Sequence, residues 1–209
     1  MDLIISAVED VIVDTYHNNT YNSFAKEKVK AEEILGIISN RVNGDFSCVD
    51  KIYLNMGPGS FTGIRASMAL VLGLTAGKNI EIIPFTSFDC FEYDKLTTGK
   101  ILVVNGFSSF VYVCYIEKRK VKMECIEKAK LIELAKNNNM TVLSYSPSII
   151  TLLKDNQVSV QEIEFSTKYM VKKHKDKKLN KIAFEPVYLR LSQAELQKQG
   201  EQKSGKTKC

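Results

Sequence analysis

A heptapeptide, Gly57-Pro58-Gly59-Ser60-Phe61-Thr62-Gly63, joins a strand-like alternation to a long apolar stretch and restricts the fold more than any other segment. Before it, residues 51–56 place Ile52, Leu54 and Met56 on one side, the period of a half-buried strand. After it, residues 62–76 read as a helix, which Gly77 and Asn79 end with left-handed cap chemistry. A strand, a glycine turn and a helix open a crossover unit, so part of the sheet is expected to be parallel.

The flanking chain supports that plan. Residues 3–6 and 8–16 read as a hairpin, 20–24 as a short strand and 81–83 as another strand. Residues 25–41 read as a helix, with Val29, Ile34, Leu35, Ile37, Ile38 and Val42 near helical spacing. Ser87 is expected to cap a short helix through Tyr93. Beyond Thr97-Thr98-Gly99 the strands 101–104, 110–116, 121–126 and 141–144 are expected, with helices at 128–136 and from Pro147. A strand at 158–164, a Lys-rich helix at 168–178 and a terminal strand at 187–191 complete the reading. The expected division is an N-terminal lobe, 1–96, carrying the turn, a smaller C-terminal α/β lobe, 97–196, and a disordered tail, 197–209, without apolar content from Gln197 on.

Chemistry at the turn has two readings. Glycines at 57, 59 and 63 open backbone angles closed to other residues and let another chain approach, while Ser60 or Thr62 can cap the helix. Free N–H groups at a helix start can also bind phosphate. The lysine and spacing of a Walker A loop are missing, and the pattern is not G-x-G-x-x-G. A tight turn with a capped helix is therefore the favoured reading.

The helix that follows is apolar on nearly every side, and Arg65 is its only charge. A helix lying on a sheet needs one apolar stripe, and this one has more. Small residues at Gly63, Ala66, Ser67, Ala69 and Gly73 would admit a neighbouring helix. One face on the sheet and one on another protein is favoured over burial between two layers of the same fold.

Metal and disulfide chemistry find little support. The five cysteines are odd in number and widely spread with no C-x-x-C pair, and the two histidines, His17 and His174, form no H-x-x-x-H pattern. No apolar run approaches the roughly 20 residues of a membrane helix, and the N-terminus does not read as a signal peptide. A cytoplasmic protein without membrane contact is expected. The net charge of +5 permits acidic partners without requiring them.

The motif Gly57-Pro58-Gly59-Ser60-Phe61-Thr62-Gly63-Ile64-Arg65, followed by Pro84-Phe85-Thr86-Ser87, resembles the signature of the TsaB family, also called YeaZ. Glu185-Pro186-Val187-Tyr188-Leu189-Arg190 is similar to that family's ending motif. The resemblance implies an α/β, actin-like and RNase H-like ATPase fold of two lobes, with mixed sheets flanked by helices. It also implies a non-catalytic partner of TsaD which, with TsaE, serves threonylcarbamoylation of the adenosine next to the tRNA anticodon. No catalytic residue and no metal ligand is expected in this chain. ATP and a metal are implied only for the assembled complex, and tRNA is met only through it. The family's helical dimer surface maps onto 25–42 and 62–76, so Ile34, Leu35, Ile38, Phe61, Ile64, Met68 and Leu72 are the expected partner-interface residues. A homodimer through the same helices is implied where TsaD is absent. Gly57, Pro58, Gly59, Ser60, Thr62, Gly63 and Arg65 are the expected structural turn.

Family members usually carry Asp-Thr-Ser in the first strand, where this chain has Leu3-Ile4-Ile5-Ser6-Ala7. Their Asp-Ala-Arg type segment reads Asn105-Gly106-Phe107 here, with Tyr112 kept. Loss of the metal-holding acid argues against an ATPase. The competing hypothesis is a nucleotide-binding hydrolase or a peptidase-like enzyme, and a third is a stand-alone tRNA-binding module. Lys168, Lys172, Lys173, Lys175, Lys177, Lys178 and Lys181 can touch phosphates, but a solvated helix face is favoured.

Overall fold

The computed structural model describes residues 1–26, 29–92, 95–105 and 108–189, with only the backbone of Ala31, Glu32 and Asn105. The tail expected at 197–209, the terminal Arg190 of the ending motif and Gly106-Phe107 lie outside the described residues.

Two mixed sheets are built on one plan. In the first, β1 (Asp2–Ser6), β2 (Val11–His17) and β3 (Thr20–Asn22) form an antiparallel meander, with a short β4 (Ala25–Lys26) also on β2. The chain then passes through α1 (Ala31–Arg41) to β5 (Lys51–Asn55), and through α2 (Phe61–Thr75) to β6 (Glu81–Phe85), giving the order β3-β2-β1-β5-β6. β5 is parallel to β1, and β6 to β5. The second sheet repeats this with β7 (Lys100–Asn105), β8 (Phe110–Glu117) and β9 (Lys120–Glu127) as the meander. Helix α3 (Lys128–Asn137) leads to β10 (Thr141–Ser144), and α4 (Pro147–Asp155) to β11 (Val160–Glu162). Its order, β9-β8-β7-β10-β11, is that of the first sheet. The parallel sheet expected at the heptapeptide is present in both.

Helix α5 (Thr167–Lys175) leaves the second sheet and packs on the first. One face of the first sheet buries Leu3, Ile5, Val13, Ile52 and Leu54 against Ile34 and Ile38 of α1 and Val71 of α2. Its other face buries Ile4, Tyr53, Ile83 and Phe85 against Met170 and Val171 of α5. Cover on both sides explains why β1 and the centre of β5 read as unbroken apolar runs. In the second sheet, Ile101, Val103, Val111 and Val113 face Leu131, Ile149 and Leu153 of α3 and α4. The opposite face packs Leu102, Val104, Tyr112 and Leu143 against Phe88 and Phe91.

Several boundaries differ from the sequence reading. The helix expected from residue 25 begins at Ala31, because Ala25 and Lys26 pair with Ile12 and Val11 of β2. Backbone partners on a sheet edge outweigh modest helix propensity there. Of the helix expected from Ser87, the described residues form a 3-10 turn at Ser87–Cys90, capped by Thr86 in a capping box with Asp89; its expected end, Tyr93, lies outside the described residues. The strand expected at 158–164 spans only Val160–Glu162. At the described part of 187–191 there is no strand: Val187 donates one bond to the Met56 carbonyl, 2.7 Å, and Pro186 has no N–H to extend a ladder. Among the described residues no helix is long and apolar enough to cross a membrane.

A buried carboxylate holds α5 in place. Asp14 of β2 accepts from the hydroxyls of Tyr21 and Thr167 and from the Phe24 N–H at 2.9 Å. Burial, reinforced by the Asp14 charge, raises the Tyr21 phenol above its ordinary 10.0, and burial does the same for Tyr53 beneath α5. Both phenols hold their protons more tightly in the folded state. Their contribution is complete below about pH 10 and is lost as pH rises, because the unfolded chain releases those protons first. Urea unfolding should therefore show stability falling above about pH 10, with a shallower fall in Tyr21→Phe. Thr167→Val, which leaves Asp14 one donor short, should cost about 1–3 kcal/mol at neutral pH.

Candidate functional site

The heptapeptide lies at the carboxyl ends of β1 and β5, where open α/β sheets place their crevice. Asn55, the last residue of β5, is buried and organises it. Its amide nitrogen donates to the hydroxyls of Ser6 (3.0 Å) and Ser87 (3.2 Å), and its carbonyl accepts from the Gly57 N–H (2.9 Å). Ser87 in turn donates from its hydroxyl to Pro58 O at 2.9 Å and from its N–H to Gly57 O at 2.8 Å. The sequence marks Ser87 as a helix cap and as the last residue of the Pro84-Phe85-Thr86-Ser87 motif, and does not mark Asn55 at all. A buried amide among hydroxyls is not visible in a one-dimensional pattern.

The glycines do admit a close neighbour, and that neighbour is the chain itself. A Cβ on Gly63 would stand 1.8 Å from the Ala7 carbonyl oxygen, and one on Gly59 2.4 Å from the Val8 Cβ. Gly57 has φ of +107°, a region that side chains avoid. The Ser60 N–H donates to Val8 O at 2.7 Å, and the Ser60 hydroxyl caps α2 by accepting from the Gly63 N–H at 3.2 Å. The N–H groups of Gly57, Ser60 and Gly63, which a phosphate cradle would use, are thus engaged within the protein.

Phe61 and Arg65 hold the ending motif. The Phe61 ring stacks on Tyr188 with centroids 4.4 Å apart, and Arg65 Nε donates to the Tyr188 hydroxyl at 2.8 Å. The Val187 carbonyl oxygen lies 3.0 Å from where a Gly57 Cβ would be. Both motifs are legible in the sequence, but their contact is not. Phe61, expected to face a partner, spends its ring on Tyr188. Thr62 is exposed on the first turn of α2, and Pro58 is buried beneath the turn.

The remaining interface residues divide by burial. Ile34 and Ile38 are core residues packed on the sheet, and Ile64 is buried against the Gly57 turn, so none of the three is exposed to a partner. Met68 is half-buried against the same core. Leu35 and Leu72 are 46% and 51% exposed on the outer face of the helix pair. Beside them Gly36 and Gly73 are exposed, and a Cβ on either would meet nothing within 4 Å. Ala69 is exposed as well.

The crevice between the sheets is small. Its cavity is about 70 Å³, lined by Ser6, Glu9, Asp10, Pro58, Tyr145 and Phe165 among others. Tyr145 donates to Glu9 at 2.7 Å, and its ring lies 5.0 Å from Phe165 and 5.8 Å from Phe91. Among the described residues no group of three His, Cys, Asp or Glu side chains is placed to hold a metal ion. His174 sits edge-on to Tyr53, 5.3 Å away, on the α5 side of the first sheet and not on the α2 side with Ser60. Much of the lysine run is used internally. Lys168 pairs with Glu164 at 2.7 Å, Lys175 lies 4.0 Å from the Tyr16 ring centroid, and burial lowers the pKa of Lys173, which stands 3.8 Å from Asp89.

No family model matches the chain. Two solved structures are similar to it in fold. One is described as an uncharacterized protein with similarity to peptidase YeaZ from Pseudomonas aeruginosa, at 15% identity and a TM-score of 0.61. The other is YeaZ from Pseudomonas aeruginosa, at 13% identity and a TM-score of 0.58. Each comparison covers 90% of this chain and 98% of the other. The chain has their actin-like α/β fold of mixed sheets flanked by helices.

Gly63→Ala should be the most damaging single change in the heptapeptide. Its methyl has no room beside the Ala7 carbonyl, so a loss of at least about 3 kcal/mol in urea unfolding is expected. Tyr188→Ala should cost less, about 1–3 kcal/mol, through loss of the Phe61 stack and the Arg65 bond.

Proposed function

We propose that this chain is a non-catalytic scaffold subunit that binds and orders TsaD, together with TsaE, for threonylcarbamoylation of the adenosine next to the tRNA anticodon. The observation that carries the reading is the outer face of α1 and α2. Leu35 and Leu72 stand exposed there beside two glycines with open space around them. Glycine inside a helix costs about 0.5–1 kcal/mol relative to alanine. Among the described residues, neither Gly36 nor Gly73 recovers that cost through a close contact. A partner helix that approaches closely would recover it, in the way small residues admit neighbouring helices.

The crevice supports the same division of labour. A cavity of about 70 Å³ is well below the roughly 300 Å³ at which small-molecule sites begin. The end of β1 that lines the crevice carries Ser6 and no acid, and Ser6 is committed to Asn55. These residues do not fit a nucleotide and its metal, so the reading assigns ATP and metal to the assembled complex and tRNA contact to that complex. Nor do the Ser60 contacts favour a peptidase, since its hydroxyl accepts from the helix start and the nearer chemistry is capping.

Mixing the purified chain with TsaD from the same cell should give one co-eluting complex in size-exclusion chromatography, and threonylcarbamoylation should require both. Two separate peaks would sink the proposal. Leu72→Glu should abolish co-elution while leaving the free chain folded, because an unpaired carboxylate would be buried only in the complex. Gly36→Ala and Gly73→Ala should each stabilise the free chain by about 0.5–1 kcal/mol yet weaken its complex. If either alanine raised stability and left TsaD affinity unchanged, its glycine would not lie in the interface.

A further inference from the structure

The second sheet carries a cavity of about 310 Å³ that is open to solvent. It meets the size that the crevice at the heptapeptide falls short of, roughly 300 Å³ for a small-molecule site. At about 30 Å³ for a group the size of a water molecule, it has room for about ten non-hydrogen atoms.

Strand register builds its floor. Leu143 of β10 pairs with Leu102 of β7, Leu102 with Cys114 of β8, and Cys114 with Met123 of β9. One cross-strand row of four side chains therefore lines the cavity. The first three are buried and Met123 is 38% exposed, so the row runs from the core out to the sheet edge. The 3-10 turn at Ser87–Cys90 and helix α5 add Phe88, Asp89 and Lys173 to the lining.

Those two elements bring charges of both signs to an apolar site. The Asp89 Oδ1 and Lys173 Nζ stand 3.8 Å apart, with only 13% and 10% of their side chains exposed. A direct charge-assisted bond is shorter, about 2.7–2.9 Å. Both groups are held in place from behind. Asp89 Oδ2 accepts from the Thr86 N–H at 2.9 Å and from its hydroxyl at 2.7 Å, and Lys173 Nζ lies 3.5 Å from the Phe88 carbonyl oxygen.

This combination selects a ligand chemistry. The apolar row calls for a small apolar body. A head with one charge is matched by one of the two groups and repelled by the other, because a carboxylate placed on Lys173 also lies near Asp89. A head that carries both signs close together meets both groups favourably. An α-amino acid has such a head, and one the size of leucine fills the space.

We propose that this cavity binds a free apolar α-amino acid, with its carboxylate on Lys173, its ammonium on Asp89 and its side chain along the Leu143–Leu102–Cys114–Met123 row. No lining residue belongs to α1 or α2, so this site is independent of the surface assigned to TsaD.

Calorimetric titration of the purified chain with L-leucine should show saturable one-to-one binding. Glycine, which has the head alone, should bind at least about tenfold more weakly. So should 4-methylpentanoate and 3-methylbutylamine, which keep the apolar body and one charge each. In methyl NMR of the same sample, the Met123 signal, assigned with Met123→Leu, should shift with the calorimetric saturation curve. Lys173→Met keeps the apolar stem and should weaken leucine binding about tenfold or more, with circular dichroism unchanged. Ile116→Trp, which fills the cavity from β8, should do the same. If either variant fails to fold, the ligand series on the unaltered chain decides. Absence of saturable leucine binding, a singly charged analogue that binds as tightly as leucine, or a Met123 signal that stays in place at saturation overturns the proposal.

Discussion

The structure turns on one contact in which there is no space for a side chain. The Ala7 carbonyl oxygen reaches to 1.8 Å of where a Gly63 Cβ would be, and Val8 comes nearly as close to Gly59. That approach joins the β1–β2 turn to the start of α2. It lets the Ser60 N–H reach Val8 and brings Pro58 under the Ser87 hydroxyl. With the turn fixed, α2 leaves β5 at the angle that buries Ile64, Ser67 and Val71 and leaves Leu72 outside. It also presents Phe61 and Arg65 to Tyr188, more than a hundred residues later in the chain. Close approach and helix direction are thus one constraint, which explains the dense clustering of glycines in so short a segment.

The two sheets share a topology, yet they are covered differently. Each has a three-strand meander followed by two parallel strands reached through helices. The first is covered on both faces because α5 crosses back from the second half, anchored by Thr167 on Asp14. The second keeps part of one face open, beside β8 and β9. A chain that spends its last helix on the first sheet has none left for the second. The strands of the two sheets are separate in sequence, with β6 ending at Phe85 and β7 starting at Lys100, but their cores are not, since α5 packs on the first sheet and Phe88 and Phe91 on the second.

How much is legible in the sequence depends on the range of the interactions involved. The periods of β1, β5, β8 and α2 are local, and the sequence places them within a residue or two. Ala25 and Lys26 carry helix-compatible residues, but their pairing with β2 decides otherwise. The apolar excess on α1 and α2 is visible. Which members of that excess are buried is not, since Ile34 and Leu35 are neighbours in sequence and opposites in exposure. Asn55 carries no signal, because an asparagine at a strand end looks like loop chemistry until its serine partners converge on it.

The sequence by itself determined the strand–turn–helix junction, the α/β alternation and an apolar helix pair with small residues, because each follows from backbone preference and spacing along a short stretch. It also carried the two motifs that resemble the YeaZ signature. Only the tertiary structure decided what the glycines approach, which isoleucines are core, and that the two motifs clasp one another. Those outcomes depend on distances between residues far apart in the chain, set by sheet order and packing. The heptapeptide illustrates the division: composition announces that something must come very close, and the fold supplies the Ala7 carbonyl.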